Sequence, residues 1–494
     1  MSLIRKSIAG TFRLGGGQVL TFTCSFVRLA ILARLLSKVD FGIAATFAIT
    51  IAILDMIGNV SLNRLIVQSS EGESRDFQAS LHLVEVARGF FNAALLFVLA
   101  WPLSHFFGVP DARWAFQCLA LYPVMRGFIH LDTSRFEREM NFRPRVVMEV
   151  LPQVVITLLA WPVAAWLQDY TAFLWLFIVR MVLVLAISHY LAEWPYRCRW
   201  QKGHGKEILQ FGWPLMLNAV LLYLVSQGDR LVIGNQFGME LLAIYTAAAT
   251  LSMVPGQIVR RINSALVLPL LSQFKSEAAS FRKTYASCRE VLTLISGWCT
   301  GVLVLLSALL PVLAYGEKYV DAAVLVTPLA IAAGILMLRG VHTTAAMSLG
   351  DTKIVLYANV IRCAGLAITL GVVLAGYPLV WAAWTMALSE ALTVVLASGI
   401  LWLRHPTMVP GIVARTEVVW AIGMGLTWTY QARYPVESIL GGVVAAVIYS
   451  ILWVAAACLL LPRLRKFTRR FIQNDAIRRE ILRPSTVGKQ AGAE

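Results

Sequence analysis

The sequence predicts an all-α integral membrane protein of about 14 transmembrane helices, and three observations predict it. Hydrophobic residues make up 58% of the 494 positions and charged residues only 14%, against about 25% charged in an average soluble domain. Apolar stretches of bilayer-crossing length, roughly 20 residues each, recur along the chain. Lys and Arg fall on alternate loops, as the positive-inside rule requires of a multi-pass helical protein. No ten-residue alternation recurs, so the backbone is satisfied within helices rather than in a barrel.

Loop punctuation predicts spans over 12–36, 41–66, 79–107, 113–134, 145–167, 171–192, 208–235, 240–271, 290–315, 321–348, 353–376, 378–403, 415–432 and 437–461. The basic, then hydrophobic start MSLIRKSIAGTFRLGGG reads as an uncleaved first span. Gly15, Gly16 and Gly17 lack a following GK[ST], so close helix packing explains them better than a phosphate loop. Pro214 and Pro255 fall inside spans, where proline can break helices around a cavity. The seven cysteines form no CxxC pair, and no disulfide framework or metal site is expected.

The N-terminus, every second loop and the C-terminal tail carry 29 of the 43 Lys and Arg residues. The opposite loops carry five: Arg34, Lys38, Arg113, Lys318 and Arg433. Both termini are therefore expected in the cytoplasm. The outer loops are as short as KVD, QDY and GEKY, which leaves no extracytoplasmic domain to carry catalysis. The tail PRLRKFTRRFIQNDAIRREILR is basic, and Leu464, Phe467 and Phe471 share one helical face, a pattern that fits either an anionic lipid surface or a solvated tail that fixes topology.

Nine arginines remain, all inside predicted spans: Arg28, Arg88, Arg126, Arg180, Arg230, Arg260, Arg261, Arg339 and Arg362. A cation facing lipid at the bilayer centre costs roughly 2.5–3.5 kcal/mol even on the lenient insertion scale. Polar neighbours at helical spacing, such as Gln18, Thr21, Ser25 and Arg28, or His82, Glu85, Arg88 and Asn92, make stripes on oily helices. Converging stripes predict a solvated interior. The intramembrane acids are fewer: Asp55, Glu85, Glu149, Asp229 and Glu390. The interior is thus expected to be cationic, suited to an anionic substrate, with phosphate gripped by the guanidinium fork. Asp55, Glu85, Glu149 and Asp229 are the candidates for coupling or gating.

Residues 28–47 and 229–248 share a pattern of charged start, apolar run, short outer loop and small-residue helix start. The expected organisation is an N-terminal lobe over 1–200, a C-terminal lobe over 201–404, two extra helices over 405–461 and a basic tail over 462–494. The two six-helix lobes would be related by a pseudo-two-fold along the membrane normal.

The stretches LARLLSKVDFG (32–42), RFEREMNFRPR (135–145), ILQFGWPL (208–215), QGDRLVIGNQFG (227–238) and LAIYTAAATLSMVP (242–255) resemble the polysaccharide transporter family, the Wzx-type branch of the multidrug/oligosaccharidyl-lipid/polysaccharide (MOP) exporter superfamily. The resemblance implies a V-shaped, two-lobe flippase of the inner membrane. It would move an undecaprenyl-diphosphate-linked oligosaccharide outward by alternating access, for O-antigen, capsule or exopolysaccharide assembly. Asp229 matches the family's Asp in its QxD-type stretch. A polymerase and chain-length machinery are the implied protein partners; no cofactor, metal or nucleic acid is. Alternatives are a lipid II-type flippase or a small-molecule exporter of the same superfamily, and, from another class, a membrane-embedded polymerase or ligase. Asp229 is expected to pair with an arginine such as Arg28.

Overall fold

The computed structural model describes residues 3–57, 62–69, 71–139, 141–201, 204–405, 410–436 and 438–473. Every regular element among them is helical. In order these are α1 (Leu3–Leu35), α2 (Lys38–Ile57), α3 (Leu62–Gln68), α4 (Arg75–Phe106), α5 (Arg113–Cys118), α6 (Leu121–Gly127), α7 (Asp132–Arg138), α8 (Arg143–Leu167), α9 (Thr171–Leu191), α10 (His204–Ile262), α11 (Leu268–Gln273), α12 (Ala278–Leu305), α13 (Leu309–Tyr315), α14 (Ala323–Ser348), α15 (Thr352–Leu374), α16 (Leu379–Arg404), α17 (Pro410–Arg433), α18 (Ile439–Leu460) and α19 (Pro462–Gln473). Ten segments among the described residues are long and apolar enough to cross a membrane, so the protein is a multi-pass membrane protein.

Departures from the predicted spans have local causes. The fourth predicted span, 113–134, is not one rod. It is broken into α5, α6 and α7 around Leu119–Ala120 and Phe128–Leu131, and Pro123 lies within the second piece. The seventh predicted span and most of the eighth follow one another as α10, with a break at Gly238. There φ is 78° and ψ −179°, a conformation open to glycine and costly for any other residue. A π turn over Asn263–Val267 then separates α10 from α11.

The chain divides into two compact units. The first comprises Met1–Leu251, Leu310–Pro328 and Asn359–Ser389, and the second Ser252–Leu309, Leu329–Ala358 and Glu390–Glu494.

In the first unit α1 packs on α8, α8 on α9, and α6 on both α4 and α9. Of the three glycines read as packing positions only Gly17 is one: a Cβ there would lie 2.8 Å from the Val146 side chain, whereas Gly15 and Gly16 face open space. One end of the α4, α6 and α9 group is pinned by imidazoles. His82 Nε2 accepts the Leu131 N–H at 3.0 Å and His130 Nδ1 accepts the Asp132 N–H at 3.1 Å. Asp132, wholly buried, accepts from Arg135 and from the Glu193 and Trp194 N–H groups.

The short loops predicted to face outward are knitted together in this unit. Lys38 bridges Glu240 at 3.0 Å and Asp321 at 3.4 Å. Arg34 donates to the carbonyls of Leu313 and Ala314, and Lys318 to those of Arg34 and Leu36. Three of the five cations assigned to that side thus meet in one cluster. The Tyr170 N–H is received by Asp40 at 3.2 Å. Close approach is built in at Gly42, where a Cβ would lie 2.0 Å from the Met239 carbonyl oxygen.

In the second unit α12 is the hub, touching α17, α18 and α19. Trp453 of α18 lies against Gly297 and Gly423 and donates to the Leu294 carbonyl at 2.8 Å. Trp420 of α17 donates to Ser296 Oγ at 3.1 Å. The helices α17 and α18, beyond residue 405, are therefore integral to this unit.

Candidate functional site

Four of the nine intramembrane arginines gather in the first unit. Arg28 comes from α1, Arg88 from α4, Arg126 from α6 and Arg180 from α9, the helices whose mutual packing was just described. Arg180 lies close enough to Arg28, Arg126 and Tyr122 to be felt electrostatically by each. Tyr122 also senses Arg88. The guanidinium of Arg28 sits 6.0 Å over the Phe177 ring.

Two carboxylates enter the group. Glu85 pairs with Arg88 one helical turn away, and Asp55 of α2 pairs with Arg126. Tyr122 Oη lies 3.4 Å from the second Asp55 oxygen and donates to it. Four cations and two anions leave a surplus of two positive charges. The surplus falls on Arg28 and Arg180. Among the described residues, Nε and Nη1 of Arg28 and Nε of Arg180 are buried with no hydrogen-bond partner. Unmet guanidinium donors in a low-dielectric surround are costly unless an anion supplies acceptors.

The other predicted binding residues lie apart from this group. Arg230 donates to Gln227 at 2.9 Å. Arg260 and Arg261 are exposed at the end of α10, and Arg362 is half-buried on α15. Arg339 is buried in the second unit and pairs with Glu390 at 3.2 Å.

Of the predicted coupling residues, Asp55 and Glu85 belong to the arginine group. Glu149 is half-buried and pairs with Arg145 at 3.0 Å. Asp229 is buried and accepts from the Tyr245 hydroxyl. The expected Arg28–Asp229 partnership gives way to this bond, while Arg28 turns toward Arg180 and Phe177. A tyrosine 16 residues onward along α10, across the Gly238 break, carried no spacing signal that would have pointed to it.

One buried cation departs from the sequence reading. Its place just ahead of the predicted span 290–315 puts Arg289 among the loop cations, yet α12 begins at Ala278 and Arg289 has no exposed surface. Its Nη2 bonds Glu417 at 2.8 Å, its Nε Thr416 at 3.1 Å and its Nη1 the Leu338 carbonyl. Glu417 also faces His342 at 3.5 Å, and His342 Nδ1 meets the Tyr285 hydroxyl at 2.7 Å. Each cationic donor there has an acceptor, so this network reads as structural.

The family model described as "Polysaccharide biosynthesis protein" matches residues 31–324. The succinoglycan biosynthesis transport protein ExoT of Rhizobium meliloti is 25% identical over 328 residues, 64% of each chain. The lipopolysaccharide biosynthesis protein WzxC of Escherichia coli is 22% identical over 328 residues, 65% of each. The match thus spans a little under two thirds of these relatives' own length. Among solved structures, the lipid II flippase MurJ in an inward closed conformation aligns over 91% of this chain and 99% of its own, with a TM-score of 0.69 at 11% identity. An inward-facing multidrug resistance MATE family transporter of the MOP superfamily aligns over 78% and 94%, with a TM-score of 0.63 at 13% identity. The chain has the fold of these two transporters and belongs to the polysaccharide biosynthesis protein family.

Proposed function

We propose that this protein carries a lipid-diphosphate-linked oligosaccharide across the cytoplasmic membrane for polysaccharide assembly, by alternating access. The observation that carries the reading is the arginine group of α1, α4, α6 and α9. Its two surplus positive charges match a diphosphate, and the open donors of Arg28 and Arg180 offer the forked geometry that phosphate oxygens accept. Arg88 and Arg126, held by Glu85 and Asp55, set the local field and are released to substrate when a carboxylate takes up a proton. That makes Asp55 and Glu85 the coupling candidates in this scheme. The sugars travel through water and the lipid tail stays in the bilayer.

Names of the relatives support the substrate class: transport of succinoglycan for ExoT, lipopolysaccharide biosynthesis for WzxC. A cationic site disfavours export of cationic drugs. Fourteen crossings, a pseudo-two-fold between two lobes and cytoplasmic termini complete the proposal. The outer-loop cluster around Lys38 would be the contact that opens to release substrate.

Reconstitution in liposomes with a labelled lipid-diphosphate oligosaccharide and leaflet-specific detection tests the scheme. Arg28→Ala and Arg180→Ala should each slow translocation by about tenfold or more, the loss of a hydrogen bond to a charged group. Arg260→Ala, outside the group, should leave the rate within about twofold, an order-of-magnitude margin set by typical exposed-site substitutions. Unchanged rates in both Arg28 and Arg180 variants at normal protein levels would reject the binding site.

A further inference from the structure

We infer that α19 is a fixed binding surface for anionic phospholipid headgroups. The inference does not depend on what the protein transports. It begins with α18, whose outward face is strongly exposed and apolar: Leu440 is 77% exposed, Ile451 64% and Leu459 66%. That face meets hydrocarbon, so α18 leaves the hydrocarbon layer near Leu460. A single residue, the extended and wholly buried Leu461, then leads into Pro462, the first residue of α19. There is no linker to carry α19 away, so it starts at the headgroup level.

Contacts with α12 hold it there. The buried carboxylate of Glu290 accepts the N–H groups of Arg463 at 2.9 Å and Leu464 at 3.0 Å. The Arg463 guanidinium reaches the Lys283 carbonyl and Ser287 Oγ. Sequence supplies the rest. The 12 residues PRLRKFTRRFIQ hold five cations and no acid, and Leu464, Phe467 and Phe471 recur at spacings of three and four along one face. Arg465 and Lys466 are exposed, as are Arg282 and Lys283 in the opening turns of α12, against which α19 is anchored. A helix with an apolar stripe and a cationic remainder, fixed at the bilayer surface, recruits phosphodiester headgroups of net negative charge.

The test uses the full chain in mixed micelles, following the thermal unfolding midpoint as phosphatidylglycerol or phosphatidylcholine is titrated in. For the wild type, phosphatidylglycerol should raise the midpoint by a few degrees more than phosphatidylcholine does. In the variant R465Q/K466Q/R469Q/R470Q that difference should disappear. A variant that keeps the full difference overturns the assignment, as does a wild type that responds equally to both lipids. An equal response to inorganic phosphate overturns it too, because the surface would then be a general anion site. Should the quadruple variant fail to fold, a salt titration of the wild type decides. The phosphatidylglycerol response should fall by at least half at about 1 M salt, where the screening length is only about 3 Å, and a response that persists unchanged rejects the proposal.

Discussion

Arg289 and Arg28 are both guanidinium groups inside the protein, and their surroundings give them opposite roles. Arg289 is saturated by Glu417, Thr416 and the Leu338 carbonyl, while Arg28 retains open donors. Arg289→Met, which breaks a buried pair, should lower stability by about 3–5 kcal/mol. The paired replacement Arg289→Met with Glu417→Leu should recover most of that loss, and thermal unfolding in detergent measures both. Asp55→Asn should act in the other sense at the arginine group. Removing the acid that holds Arg126 raises the local charge by one, so inorganic diphosphate should protect the variant against unfolding at lower concentration than it protects the wild type. Sequence revealed the four arginines because cations inside apolar runs are conspicuous. It misread Arg289 because the opening of α12, AASFRKTYASCRE, is amphipathic and looks like a loop when judged by hydropathy alone.

At the scale of elements, close helix approaches decide what tolerates change. Gly42 sits where any side chain would meet the Met239 backbone, and a backbone cannot swing aside as a side chain does. Gly42→Ala should therefore cost about 1–3 kcal/mol, the range for overpacking, and a drop in the unfolding midpoint checks it. Span boundaries were legible wherever one long apolar run becomes one helix, as in α8, α9 and α18. They were not legible over 113–134, where hydropathy stays high although the backbone turns twice. The second of those turns is stabilised by partners distant in sequence: His82 receives the Leu131 N–H, and Ser188 the His130 N–H. Periodicity within a window cannot register a partner some 50 residues away.

At the scale of the molecule, the outer-loop cluster and the buried networks differ in how easily they release. Lys38, Glu240 and Asp321 are partly to largely exposed, and an exposed ion pair contributes about 0–1 kcal/mol. In the proposed transport cycle this contact yields once per turn, which needs that marginal strength. Lys38→Glu should make a cysteine reporter among these loops more reactive from outside, and Lys38→Glu combined with Glu240→Lys should return it toward the wild-type rate. The hydrogen bond that Lys38 donates to Glu240, aided by Asp321, holds the Lys38 ammonium above its ordinary range. A raised lysine pKa keeps its pairing intact at lower pH and loses it only as pH climbs through the raised value. Reporter reactivity, corrected for intrinsic thiol ionisation, should thus stay flat from about pH 7 to 9, below the ordinary lysine value of about 10.4. Charge alternation along the chain identified which loops share this side, and the short loops allowed their meeting. The pairing itself was hidden, since Lys38 and Asp321 are separated by more than half the chain.

The π turn at Asn263–Val267 has a consequence for helical register. Such a turn closes over one residue more than the α turns on either side of it. Removing Ser264 should therefore restore an unbroken α-helix from α10 into α11 and keep the chain foldable. It would also rotate Arg260 and Arg261 by roughly 100°, one residue's worth of helical turn, relative to everything that follows.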